Sequence, residues 1–157
     1  MQFTRASDYA VRVASYLTNA NGSISRSQDI AAATQIPESF LAKILGQLSR
    51  AGIVRSHRGA RGGFSLAVEA PTLTLLDVVE AMEGPLRLNL CATPDPCVYM
   101  ENCPIQTAWQ EAETSLRESL RSRRIVDLAN QCAEVHLFMD GRAPAWQGAG
   151  ESQAVSS

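Results

Sequence analysis

Between Leu48 and Phe64 the apolar residues of this chain change their spacing, and that change limits the folds open to it. Before it they recur every three or four positions, the pattern of helices that bury one face. Ala10, Val13, Ala14 and Leu17 form a first run, Ile30 and Ala31 a second, and Phe40, Leu41, Ile44, Leu45 and Leu48 a third. Ser7-Asp8 is the candidate cap of the first helix, and Asn21-Gly22 ends it. Ser25 or Ser27 starts the second, and Thr34-Gln35-Ile36 reads as a turn. Pro37 suits the first position of the third helix, where its missing N–H costs nothing, and Ala51-Gly52 ends it. Two helices joined by a short turn, the second exposing polar side chains at its start, make a helix-turn-helix.

Beyond Gly52 the pattern is that of strands. Ile53-Val54-Arg55-Ser56 and Gly63-Phe64-Ser65-Leu66 flank a glycine-rich hairpin tip, a wing. An isolated hairpin of this composition is ordinarily a solvated turn. Directly behind a helix-turn-helix, Arg58 and Arg61 beside Gly59, Gly62 and Gly63 suit contact with a DNA backbone or minor groove. Charge supports that reading. The chain carries a net −2, yet residues 1–66 hold eight Arg/Lys against three acids, a balance of +5, and the remainder six against thirteen, a balance of −7. A cationic first half attracts phosphates, and the acidic second half faces elsewhere.

The rest of the chain is again helical. A compact helix over 73–82 closes at Gly84-Pro85, and a loop over about 89–103 contains Pro94, Asp95 and Pro96. Pro104 opens a long helix to about Ser122, with Ile105, Ala108, Trp109, Ala112, Leu116 and Leu120 as its apolar seam. Little chain is left to cover that seam, which favours a second subunit over packing on its own domain. Arg121, Arg123 and Arg124 complement the helix dipole at its end, and 125–132 form one more short helix. After Phe138 the composition is that of a disordered tail. The fold class expected is mainly α with a small β-hairpin: a winged helix-turn-helix plus a long dimerisation helix. The units are a DNA-binding domain over 1–84, a cysteine loop over 85–103, the dimerisation and C-terminal helices over 104–138, and the tail over 139–157.

Cys91, Cys97 and Cys103 are each separated from the next by five residues. With no run of about 20 apolar residues and no signal-peptide pattern, the chain is expected in the cytoplasm and away from membranes. There cysteines serve as ligands, redox groups or small buried residues more often than as disulfides. Thiolates suit iron-sulfur clusters or zinc, although structural zinc prefers closer Cys pairs than these. Cys132 reads as a small buried residue. No triad, phosphate loop or acid-base pair points to an enzyme.

Met1-Gln2-Phe3-Thr4-Arg5-Ala6-Ser7-Asp8-Tyr9-Ala10, Leu48-Ser49-Arg50-Ala51-Gly52, the Arg58 to Phe64 wing and the triple cysteine together resemble the bacterial winged-helix iron-sulfur regulators that include IscR, NsrR and RirA. The resemblance covers about residues 1–135. It implies a homodimer whose cluster state controls binding to a roughly palindromic double-stranded DNA operator. It also implies that Cys91, Cys97 and Cys103 hold the cluster. IscR-like members add a histidine shortly after the third cysteine, and Cys103-Pro104-Ile105-Gln106-Thr107 has none. NsrR-like members use an aspartate from the partner's first helix, and Asp8 matches that position, which favours 4Fe-4S over 2Fe-2S. A plain helix cap fits Asp8 equally well. The expected DNA contacts are Ser39 and Lys43 in the major groove, Arg58 and Arg61 on the wing, and Thr4, Arg5 and Gln28 on phosphates. IscR-like members carry a glutamate where this chain has Ala42, so the operator sequence does not transfer. His57 and His136 read as ordinary wing and tail residues. The leading reading is a repressor that senses nitric oxide, redox state or iron-sulfur supply. The alternative is a cluster-free regulator that uses the cysteines as a thiol switch or zinc site.

Overall fold

The computed structural model describes residues 3–88 and 103–137, the last six as backbone alone. Within them the order is α1 (Arg5–Asn19), α2 (Ser27–Thr34), α3 (Glu38–Arg50), β1 (Val54–His57), β2 (Gly63–Leu66), α4 (Leu75–Glu83), α5 (Pro104–Arg121) and α6 (Ile125–Leu137). The expected architecture, mainly α with one hairpin, is the one observed.

α1 is the central helix and touches α2, α3, α4 and α6. Its inner residues Ala10, Val13, Ala14 and Leu17 are buried, and two of the four are alanines, which lets neighbouring helices come close. Leu41, Ile44, Leu45 and Leu48 of α3 meet them in one cluster with Ile30, Ile36, Ile53, Val54, Leu73 and Val78. Each large aliphatic side chain so buried contributes about 1.5–3 kcal/mol. Ile125 and Ala129 of α6 are fully buried, and Ile125 joins the same cluster. The backbone fixes that return. Leu75 N donates to the Arg123 carbonyl (2.8 Å), and Ile125 N donates to the Leu73 carbonyl (2.9 Å).

The caps differ from those expected. Ser7 and Asp8 do not cap α1, which starts earlier, with Thr4 as the capping residue and no side-chain cap of its own. The carboxylate of Glu83, from α4, supplies the acceptor there instead. Pro37 stands one position before α3 rather than at its first residue. α4 has a reciprocal capping box: Asp77 N donates to Thr74 Oγ1 (3.2 Å) and Thr74 N donates to Asp77 Oδ2 (2.9 Å). The helix over 125–132 extends to Leu137, and α6 packs against α1.

The wing is tied to the helical core at its base. β1 and β2 pair antiparallel from Val54↔Leu66 to His57↔Gly63. Ser25, just before α2, adds a third short rung: its N–H donates to the Phe64 carbonyl (2.9 Å) and its carbonyl accepts from Phe64 N–H (2.8 Å). Gly63 makes this approach possible, because a Cβ there would collide with the Ser25 carbonyl oxygen.

Candidate nucleic-acid interface and metal-ligand residues

The turn between α2 and α3 closes through Gln35, which has a left-handed backbone (φ 55°), and Ile36 N–H donates to the Ala31 carbonyl (3.3 Å). The outward side of α3 then carries Ser39 and Lys43, both exposed, beside Ala42 and Gly46. Small residues leave that helix surface low, so another molecule can approach its backbone closely. Gln28 is exposed in the first turn of α2, Thr4 and Arg5 at the start of α1, and Arg58 and Arg61 at the wing tip. Arg5, Lys43, Arg58 and Arg61 make no ion pair among the described residues.

Phe40 departs from the expected apolar stripe. It is 54% exposed, whereas Leu41, Ile44, Leu45 and Leu48 are buried. At 3.6 residues per turn Phe40 sits about 40° round the helix from Ile44, past the edge of the buried arc. Its ring meets Tyr9 of α1 edge to face, with centroids 6.3 Å apart and planes at 75°. The Arg12 guanidinium lies over the Tyr9 ring, 5.8 Å from its centroid.

His57 does more than occupy the wing. Its Nε2 lies 2.8 Å from Oγ of the buried Ser65, bridging the two strands below the arginine-bearing tip.

Of the expected metal ligands, Cys91 and Cys97 lie outside the described residues. Cys103 is half-buried and stands at the N-cap position of α5, whose first residue is Pro104. Asp8 points outward from the first turn of α1 with its side chain 60% exposed, paired only to Arg12 (2.9 Å) among the described residues. An exposed pair of this kind contributes about 0–1 kcal/mol and leaves the carboxylate accessible. The donor set of three soft thiolates and one hard carboxylate fits an iron-sulfur cluster by its chemistry. Among the described residues no three His, Cys, Asp or Glu side chains gather as a metal site. The side chain of Cys132 is likewise outside the description.

Three carboxylates not singled out from the sequence organise the surroundings of the loop. Glu83, the last residue of α4, accepts on one oxygen from Thr4 N–H (3.0 Å), Thr4 Oγ1 (2.7 Å) and Ser7 Oγ (2.5 Å). These donors, Ser7 first, hold its pKa below the ordinary glutamate value. Glu80 accepts from Leu86 N–H (2.9 Å) and from Arg117 of α5 (2.6 Å). Glu113 of α5 accepts from Leu88 N–H (3.2 Å) and faces Arg87 (3.4 Å). The segment that leaves α4 is thus fastened to α5, the helix that follows Cys103. Apart from the Glu80–Leu86 bond, which spans six residues, no local pattern announces these bonds, because the partners stand 25 to 79 residues away.

The Rrf2 family model, described as an iron-dependent transcriptional regulator, matches residues 3–131. A candidate HTH-type transcriptional regulator of Aquifex aeolicus is 33% identical over 141 residues, covering 88% of this chain and 97% of that one. Among solved structures, CymR, the global cysteine regulator of B. subtilis, has a TM-score of 0.67 at 25% identity, covering 83% of this chain and 98% of its own. T. potens IscR shares the fold, with a TM-score of 0.64 at 22% identity over 94% of this chain and 96% of its own. These relatives are regulators, not enzymes. An exposed helix-turn-helix, a wing anchored at Ser25 and a family match across both place the chain in the Rrf2 family of winged-helix, DNA-binding transcriptional regulators.

Proposed function

We propose that this regulator is a homodimeric, cytoplasmic repressor whose operator binding depends on an iron-sulfur cluster, 4Fe-4S in preference to 2Fe-2S. The observation that carries the dimer is α5: eighteen residues, none of them buried, with Ile105 67% and Trp109 44% exposed. An apolar seam left open along a helix of this length calls for a second copy. Residues 104–138 serve that contact in this reading, residues 1–84 bind DNA, and 85–103 carry the cysteines.

Cys91, Cys97 and Cys103 hold the cluster, with Asp8 of the partner's first helix as the fourth ligand. When bound, the cluster supplies redox and nitric-oxide reactivity at iron. The protein residues govern its lability. Asp8 is a weaker ligand than a thiolate and has Arg12 as a competing partner at 2.9 Å. Glu80 and Glu113 fix the entry to the loop relative to α5. Ser39 and Lys43 enter the major groove, Arg58 and Arg61 contact the DNA from the wing, and Thr4, Arg5 and Gln28 position the domain on phosphates.

The test is anaerobic purification with iron and sulfide analysis and an absorption spectrum, on wild type, Cys97→Ala and Asp8→Ala. About four irons per subunit, lost in Cys97→Ala and labile in Asp8→Ala, are expected. About two irons, unaffected by Asp8→Ala, would assign a 2Fe-2S sensor with another fourth ligand. Protein that binds no iron but switches DNA binding with thiol oxidation or zinc would establish the cluster-free alternative.

A further inference from the structure

The exposed ring of Phe40 lies outside the buried cluster, on the flank of α3 next to Lys43. At about 100° per residue Lys43 falls between Ser39 and Phe40 in projection, so the three side chains occupy one continuous arc. All three are exposed, and Ala42 and Gly46 on the other flank of Ser39 leave the helix low enough to sink into a groove. Phe40 has no polar atom, which excludes hydrogen bonding to a base edge or a phosphate. What an exposed ring at this place can recognise is the one apolar group of the major groove, the C5-methyl of thymine.

The ring is also held ready. Tyr9 meets it edge to face at 6.3 Å, and Arg12 covers Tyr9 in turn, so Phe40 keeps its orientation without being buried. A side chain fixed before binding loses little rotamer freedom when it meets a base.

Resting on the reading that α3 enters the major groove, we infer that Phe40 is a specificity-determining residue that reads a thymine methyl within each half-site. Of the three, Phe40 alone ends in an apolar group, since Ser39 ends in a hydroxyl and Lys43 in an ammonium on an aliphatic stem, and the exposed Ala42 beside them offers only a short methyl.

The experiment selects binding sequences from random duplex DNA with the full-chain protein, purified anaerobically. Each thymine of the enriched site is then replaced by deoxyuridine, which removes only the methyl. Wild type should lose about three- to tenfold in affinity at one thymine per half-site. In Phe40→Ala the thymine and deoxyuridine duplexes should bind equally, while Phe40→Leu should keep part of the difference. A deoxyuridine effect of the same size in wild type and Phe40→Ala would overturn the assignment, as would no deoxyuridine effect at any position. A uniform loss of affinity in Phe40→Ala that leaves the deoxyuridine ratio intact would mark the ring as support for Tyr9 only and overturn it as well. Enrichment of no sequence would remove the groove-reading role of α3 itself, and Phe40 with it. Thermal melting of each variant confirms that a folded protein is being compared.

Discussion

α3 and α5 are both amphipathic helices, and the molecule treats them in opposite ways. Leu41, Ile44, Leu45 and Leu48 of α3 are covered by α1, β1 and α4 of the same chain. α5 is longer and touches α4 through Glu80 and Arg117, yet none of its residues is buried. A hydrophobic stripe therefore says that a helix has a preferred side, not who covers it. The covered helix belongs to a core whose loss unfolds the chain. If the uncovered one pairs with a second copy, as proposed, its apolar residues answer to protein concentration rather than to folding alone.

The sharpest way to break this contrast is to truncate one residue on each helix. Leu45→Ala is expected to cost about 2–5 kcal/mol in chemical denaturation, through lost burial and the cavity left behind. Trp109→Ala should leave the subunit folded and instead move sedimentation from dimer toward monomer at low concentration. If Trp109→Ala unfolds the chain while sedimentation shows a monomer in wild type, α5 is completed within its own subunit and the contrast fails.

A second test sharpens the boundary between core and wing. Gly63→Ala places a methyl group against the Ser25 carbonyl, and the strain should cost about 1–3 kcal/mol. Because Ser25 connects the wing to the start of α2, DNA affinity should fall more than melting temperature does. Equal effects on both would show that the wing is simply part of the core.

The smallest effect concerns Glu83. Its pKa is lower in the folded protein than in the unfolded chain, so its contribution is present above the ordinary glutamate value of about 4.3 and fades as pH falls through the folded value. Glu83→Gln should flatten the acid side of the stability profile by less than about 1 kcal/mol, since the group is solvent-exposed and screened. An unchanged acid limb, followed by circular dichroism between pH 6 and pH 3 (roughly the span of carboxylate titration), would assign the tie between α4 and α1 to packing alone.

Much of the fold was legible in local pattern. The change from helical to strand spacing at Gly52, the proline before α3 and the proline opening α5 each mark an element edge through backbone sterics, which act over a few residues. Ser39, Lys43, Arg58 and Arg61 were legible as surface residues for the same reason: they fall outside the apolar arc or on the hairpin tip. Asp8 was misread as a cap because capping was sought within the local sequence, whereas Glu83 reaches the start of α1 from the far end of α4. Phe40 was misread as core because the width of a buried arc depends on which helix lies across it.

By itself, then, the sequence determined the periodicities, the breaks between elements, the cationic first half and the cysteine spacing, all properties of neighbouring residues. The tertiary structure decided which stripes were covered, which carboxylate met which backbone amide, and that Ser25 extends the wing. Those outcomes depend on residues distant in the chain meeting in space, and no interaction confined to a few consecutive residues encodes such a meeting.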